Sequence, residues 1–383
     1  MAIKTAQRAI IPSFRALDML REVHELRACG HDLRSLGAGQ PSVGAPHAAL
    51  DYACEMIKRD PVQGYTEARG LRSLRENIAA HYISTYDVRL DPDNICITVG
   101  SSGGFIMALI AAFDVGDTVL LTTPTYPAYR NFLKTLGINV LEIEAPAADN
   151  YQPSVSLLDS IKEPFDGMII CSPSNPTGTM IAQDELEKIC AWCERKNVRL
   201  ISDEAYHGIT YETPAMTARK YSKSAIILNT FSKYYAMTGW RLGWIDAPED
   251  LSPAIKNLAE NLFVSAPTIA QYVACKVLEL KNELDQYVQT YRKNRDILLG
   301  CLKESGFNDI SNAQGAFYVY ADIHHISNDS EEFCRRLMAE AGVVATPGLD
   351  FDLTRGSSAI RLCYAGSQED VEEACLRLKK WRR

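Results

Sequence analysis

Short apolar runs rich in β-branched residues alternate with amphipathic stretches through the middle of the chain. "NICITVG" (94–100) precedes the helical pattern of "GGFIMALIAAF", and "TVLLTTP" (118–124) precedes "AYRNFLKTLG". Four more runs follow: "NVLEIEA" (139–145), "GMIICSP" (167–173), "VRLISDEAY" (198–206) and "AIILNTFSK" (225–233). The helical stretch "AQDELEKICAWCERKN" separates the fourth run from the fifth. A continuously apolar run fits a strand covered on both faces, and the amphipathic stretches fit the covering helices. The pattern predicts an α/β fold around a mostly parallel sheet.

After Pro253 the texture changes. A long helical region is predicted from about Ile255 to Lys303, broken near "SAPT". Beyond it lie "GAFYVYADI" (315–323), a helix over "SEEFCRRLMAEAG", a short "VVATPG", "AIRLCYA" (359–365) and a last helix from Gln368. Strands and helices mixed in this way predict a separate α+β lobe. There is no internal repeat.

Composition narrows the function. The 383 residues suffice for one large and one small lobe. The net charge is −8 and no long basic run exists, which argues against nucleic acid as a partner. The terminal "RLKKWRR" closes an apparent helix, where cations complement the dipole. No apolar stretch is long enough to span a bilayer, and the N-terminus has no signal-peptide core, so a cytoplasmic location is expected. The eleven cysteines are scattered and odd in number, which fits reduced thiols. Cys190 and Cys193 have a redox or zinc spacing, yet with Leu186 and Ile189 they form the core stripe of a helix. No metal site is expected.

In an open α/β sheet, ligands bind beyond the carboxyl ends of the strands. At those ends stand "GSSGG" with Ser101 and Ser102, then Tyr126, Asn175, "SDEAY" with Asp203 and Tyr206, and "TFSK" with Thr230 and Lys233. Singly, each has a plain alternative. Glycine and serine favour turns, Asp203 could cap a helix, Tyr126 could be core, and Asn175 could shape a turn. Together they offer an anion cradle at a helix N-terminus, aromatic rings, a buried acid and an amine. These are the requirements of pyridoxal 5'-phosphate (PLP), which forms a Schiff base with a lysine while an acid pairs with its ring nitrogen. Lys233 is then the amine, and Thr230 and Arg241 clamp the phosphate.

The pieces "SNPTG", "SDEAY" and "SKYYAMTGWRLG", in this order, resemble the class I/II aminotransferases of fold type I, the aspartate aminotransferase group. The resemblance runs from "LGAGQPSVGAP" to "IRLCYAG". It implies a seven-stranded, mostly parallel sheet flanked by helices, plus the smaller α+β domain. The implied division is an N-terminal arm and part of the small domain over 1–42, a PLP-binding domain over 43–284 and a C-terminal domain over 285–383. It further implies a homodimer that moves an amino group from an α-amino acid to a 2-oxo acid. Lys233 resembles the Schiff-base lysine and proton carrier, with a pyridoxamine form of the cofactor as intermediate. Asp203 resembles the ring-nitrogen partner. Asn175 and Tyr206 resemble the hydrogen bonds to the ring oxygen, with Asn175 also near substrate. Tyr126 resembles the stacking ring, and Ser101, Ser102, Thr230 and Arg241 the phosphate cup. Tyr65 resembles a tyrosine lent to the phosphate by the neighbouring subunit. Arg361 and the Gly39 N–H resemble the grip on the substrate carboxylate.

Two features depart from the pattern. Ser101 and Ser102 stand where relatives often have glycine, alanine or lysine. Asp352 stands where glycine is common, in a loop one residue longer, which puts substrate choice in question there. Two other functions share this architecture. One is a different PLP reaction, such as a β-lyase, decarboxylase or synthase. The other is a ligand-sensing regulator, which needs a DNA-binding domain for which the chain has no expected space.

Overall fold

The computed structural model describes residues 3–381. The six apolar runs are strands: β1 (Ile95–Val99), β2 (Thr118–Thr123), β3 (Asn139–Glu144), β4 (Gly167–Cys171), β5 (Arg199–Asp203) and β6 (Ile226–Thr230). A seventh strand, β7 (Leu242–Asp246), joins them in one sheet of order β1-β7-β6-β5-β4-β2-β3. Strand β7 is antiparallel to both β1 and β6, and the other pairings are parallel. Two antiparallel steps restore direction, so the six remaining strands present their carboxyl ends at one edge.

Both faces of this sheet are covered, as its unbroken apolar runs require. On β5, Leu200 packs into a cluster with Leu186, Ile189, Cys190 and Cys193 of the helix Gln183–Lys196. Its neighbour Ile201 points to the opposite face, into a cluster with Phe105, Leu109, Tyr129 and Leu133. Cys190 and Cys193 are buried free thiols, each pushed up to about 12 by burial, and they act as small core residues.

The helix Gly100–Ala112 leaves β1 without a loop. Gly100 takes φ +65°, and a Cβ there would lie 2.6 Å from Nη2 of Arg241. Gly243 of β7 faces the same corner, where a Cβ would meet Asn229 O at 2.7 Å and Ser101 N at 2.9 Å. The two missing side chains let a helix N-terminus, a guanidinium and a sheet edge converge.

The C-terminal part builds a three-stranded antiparallel sheet from Tyr318–Asp322, Ala359–Cys363 and Thr346–Pro347. The N-terminal stretch joins it through Arg34–Ser35, which pairs in parallel with Val343–Val344. One apolar cluster runs continuously from Ile97 and Trp244 of the large sheet to Val319 and Leu362 of the small one.

The seven-stranded, mostly parallel sheet that the family resemblance implies is present; three elements differ from what the apolar pattern alone predicts. Strand β7 has no apolar run of its own in the pattern, because it is short and follows directly on the "KYYAMTGWR" turn. The helical region after Pro253 is three helices, Ser252–Leu262, Thr268–Val277 and Lys281–Glu304, with a second break at Leu278–Leu280. No helix-breaking residue stands at that break. The two flanking helices pack on different partners, His47–Arg59 and Gln368–Trp381, and tertiary contact sets the turn between them. The helix over "SEEFCRRLMAEAG" is α-helical only over Ser330–Arg336 and widens to a π-turn at Leu337–Ala341. Among the described residues, no helix is long and apolar enough to cross a membrane.

Candidate active site

A cavity of about 420 Å³ opens at the carboxyl edge of the large sheet. Eleven of the twelve candidate residues line it: Ser101, Ser102, Tyr126, Asn175, Asp203, Tyr206, Thr230, Lys233, Arg241, Gly39 and Arg361. Tyr65 does not. It stands 86% exposed on the surface.

Each strand delivers its group through the chain that follows it. Ser101 and Ser102 open the helix after β1, where unpaired backbone N–H groups and the helix dipole favour an anion. Tyr126 precedes the helix Pro127–Leu136 and packs edge-on against Tyr129 and Phe14. Burial pushes the Tyr126 phenol up to about 12. Arg241 sits in the left-handed region at φ +53° just before β7, which turns its side chain toward Gly100. The Thr230 hydroxyl donates to Leu242 O at 3.1 Å and lies 3.0 Å from Ser232 Oγ, which can donate to it in turn. It therefore braces the turn, and Ser232 supplies a further hydroxyl on the cavity wall.

Three ionisable groups are withdrawn from water here without a partner of opposite charge. The Asp203 carboxylate accepts from the Tyr129 hydroxyl and, at 3.0 Å, from Ala205 N–H. Burial raises its pKa to about 6, against the lowering effect of those two donors. The Lys233 amine donates to Gly39 O at 2.8 Å, and burial lowers its pKa to about 8. The Arg361 side chain is only 2% exposed. Its guanidinium donates to Asn175 Oδ1 at 2.9 Å, to Gly37 O at 2.8 Å and to Thr346 Oγ1 at 3.2 Å, all of them neutral. Its Nε has no partner.

These features fit pyridoxal phosphate and a carboxylate substrate. A buried carboxylate with no cation beside it suits a protonated ring nitrogen, and a lysine with a depressed pKa suits covalent attachment. A buried guanidinium with neutral partners and a spare Nε–H suits a second carboxylate.

Asp352 takes no part in this cavity. Its carboxylate accepts from Thr354 N–H and Arg355 N–H, each at 2.9 Å, and pairs with the Arg355 guanidinium. It organises the longer loop, and the neighbouring Phe351 packs its ring 4.7 Å from the Arg361 guanidinium. Residues absent from the sequence reading also line the cavity, notably Tyr129, Ser232, Tyr318 and the N-terminal Phe14, Leu17 and Leu20. Ser232 was visible in "TFSK" as a hydroxyl beside the lysine. Tyr129 lies one helical turn after Tyr126. The N-terminal residues carry no motif.

The pH dependence of stability follows from Asp203. Its folded-state pKa lies above the ordinary 3.8, so ionising it costs stability. That cost is absent below the unfolded value, grows as pH rises from 3.8 to about 6, and is complete above that. Asp203→Asn should therefore stabilise the cofactor-free protein by about 3 kcal/mol at pH 8 and by almost nothing below pH ~4. Urea unfolding at the two pH values measures this, and an equal change at both would contradict it.

Comparison with known proteins agrees with this geometry. Residues 31–378 match the family model "Aminotransferase class I and II". The chain is 41% identical to a valine–pyruvate aminotransferase of Mycobacterium tuberculosis, over 100% of this chain and 99% of the relative. It is 34% identical to a (5-formylfuran-3-yl)methyl phosphate transaminase of Methanocaldococcus jannaschii, over 96% of each. A crystal structure of an aminotransferase from Mycobacterium tuberculosis superposes with a TM-score of 0.97 at 41% identity, over 99% of both chains. The fold is that of the fold type I aminotransferases. With its match to the family model, its relatives and the chemistry of its strand edge in agreement, the chain belongs to the class I and II aminotransferases and is a pyridoxal-phosphate-dependent transaminase.

Proposed function

We propose that this transaminase takes a small α-amino acid with an uncharged side chain as donor and a 2-oxo acid of the pyruvate type as acceptor. One observation carries the proposal. The cavity is lined by three cations, Lys233, Arg241 and Arg361, and each has a task before any side chain is considered. Within this subunit none is left for a side-chain carboxylate, and Phe14, Leu17 and Leu20 form an apolar part of the wall. A buried carboxylate without a partner is costly, so a dicarboxylic donor is disfavoured. The name of the valine–pyruvate relative agrees with this.

The residue roles follow from position. Bound pyridoxal phosphate supplies an electron sink for the electron pair left at the substrate α-carbon. Lys233 is its covalent anchor and, once released, the group that moves the proton at that carbon. With a pKa near 8, the amine can carry the proton and give it up near neutral pH. Asp203 holds the proton on the ring nitrogen, with Tyr129 and Ala205 fixing the carboxylate. Asn175 and Tyr206 would hold the ring oxygen by hydrogen bonds, and Tyr126 would cover the ring. Ser101, Ser102, Thr230 and Arg241 form the phosphate cup, with Ser232 added to it. Arg361 takes the substrate carboxylate, aided by Gly39 N–H, and so orients the α-carbon.

The reading includes a homodimer with the active site at its interface, and Tyr65 reaching the phosphate of the other subunit. Tyr65 and Val62 are 86% and 84% exposed. A surface hollow beside the active cavity is walled by Pro41, Val43, Leu50, Trp240, Pro267 and Ile269, and shares Gln40, Thr238 and Arg241 with the cavity. Uncovered apolar surface at this place fits an interface. Residues 1–42 then go with the small C-terminal domain over 285–383, and 43–284 form the cofactor-binding domain. The Arg34–Ser35 pairing with Val343–Val344 supports that grouping.

Three measurements test this. A half-reaction screen of amino acids, followed by loss of the cofactor's aldehyde-form absorption, should favour valine or alanine over aspartate by at least about tenfold. Preference for aspartate would reject the substrate class. In Arg361→Lys the cofactor spectrum should persist while amino-acid affinity falls at least about tenfold, because the fork of the guanidinium is lost. Retained affinity with lowered melting temperature would remove Arg361 from the site. Finally, Lys233→Ala and Tyr65→Ala subunits should complement when mixed and re-equilibrated. If Tyr65 acts across the interface, each mixed dimer holds one intact site and about a quarter of wild-type activity returns at limiting cofactor. No recovery would place Tyr65 in its own subunit's site or outside both.

A further inference from the structure

The apolar part of the cavity wall starts where the helix Arg15–Ala28 starts. Phe14, Ala16, Leu17 and Leu20, from its N-cap and first two turns, line the cavity. Farther along, Met19, Val23 and Leu26 pack with Leu33, Met338 and Val344. The first turn has no such anchor. Val23 alone is buried within this helix, and Leu17 is 59% exposed. The N-cap residue, Phe14, has no side-chain oxygen to accept the free N–H groups of that turn.

The cap comes instead from the C-terminal part of the chain. Asp350 is buried, and its Oδ2 accepts from Ala16 N–H at 3.1 Å across 334 positions of sequence. A carboxylate there satisfies a free donor and faces the positive end of the helix dipole. The next residue reaches two other parts of the site. Phe351 O accepts from Thr125 N–H at 3.0 Å, beside Tyr126, and the Phe351 ring packs on the Arg361 guanidinium. The other ties of the first turn are the edge contact of Phe14 with Tyr126 and the Arg15–Glu331 ion pair. Both side chains of that pair are exposed, so it contributes little. Asp350 is therefore the principal polar tie of the turn.

We infer that Asp350 is a positioning residue for selection of the donor's side chain: by capping the helix Arg15–Ala28 from a distant loop, it holds Phe14 and Leu17 over the cavity as the apolar wall that the side chain meets. The inference rests on the uncharged donor proposed above. Burial raises the Asp350 pKa, while the Ala16 N–H and the nearby Arg361 guanidinium pull it down. A change at Asp350 therefore also reaches the grip on the α-carboxylate, which alanine and valine share. The ratio of their affinities cancels that shared part and reports on the wall.

The test is the half-reaction of the cofactor-loaded enzyme at rising concentrations of alanine and of valine, followed by loss of the aldehyde-form absorption. Asp350→Ala should lower the affinity for valine relative to alanine by about fivefold, because the larger side chain loses part of its wall. Asp350→Asn keeps an oxygen at the cap and should keep the wild-type ratio. In a background carrying Phe14→Ala and Leu17→Ala the wall is already gone, and Asp350→Ala should leave the ratio where it is. An unchanged ratio in Asp350→Ala would overturn the inference. So would an equal drop in Asp350→Asn, or an equal further drop in the background without the wall. Those results would leave the donor class standing. A wild-type enzyme that takes aspartate in preference to both amino acids would reject the donor class, and the inference with it.

Discussion

Holding Lys233, Asp203 and Arg361 out of water without pairing any of them with an opposite charge is the constraint on which the rest of the structure depends. An unpaired buried charge is among the most destabilising features a protein can contain. Here each is answered by neutral hydrogen bonds: Gly39 O for the amine, Tyr129 and Ala205 for the carboxylate, and Asn175, Gly37 and Thr346 for the guanidinium. Those partners reduce the cost and leave each charge open to a ligand. The opposite solution is visible on the same molecule, where Asp246 is paired with Arg219 and carries no chemistry.

The fold offsets that cost with a large apolar interior and with rigid edges. Strands covered on both faces cannot slide without moving side chains between the two clusters, so their ends are fixed relative to one another. Strand β7 closes the gap between β1 and β6 and brings Gly243 under the helix N-terminus. The end of the cavity beside Ser101 and Arg241 in this way combines a helix N-terminus and glycine-made space with hydroxyl and guanidinium side chains. The opposite end comes from the C-terminal sheet, whose strand pairing sets Arg361 opposite Tyr320 and beside Thr346. One apolar cluster joins the two sheets, so the cavity lies between elements that share a core.

Much of this was legible before any coordinates. Most of the cavity's polar lining sits within a few residues of strand ends that the apolar pattern marks. Such groups are placed by local chain geometry, since the end of a parallel strand and the turn after it occupy a known edge of the sheet. Asp203 and Tyr206, or Thr230 and Lys233, needed only that rule. Misreadings arose where local pattern is weak. Strand β7 lacked its own apolar run, and the break at Leu278–Leu280 has no breaking residue. The pattern also left open what Asp352 does; it anchors its own loop through an ion pair with Arg355.

By itself, then, the sequence determined the α/β layering, the identity of the strand-end groups and the chemistry they can support, because each depends on residues close together in the chain. The tertiary structure alone decided how Gly39, Tyr206, Lys233, Tyr318 and Arg361 meet. They come from five separate segments, and their contacts depend on distances that no local pattern encodes. It also decided that Phe14, Leu17 and Leu20 cover the cavity and that Thr230 spends its hydroxyl on Leu242 O. The physical reason is the same in each case: contacts between distant segments are set by the packing of the whole core, whereas periodicity and turn chemistry report only on neighbours.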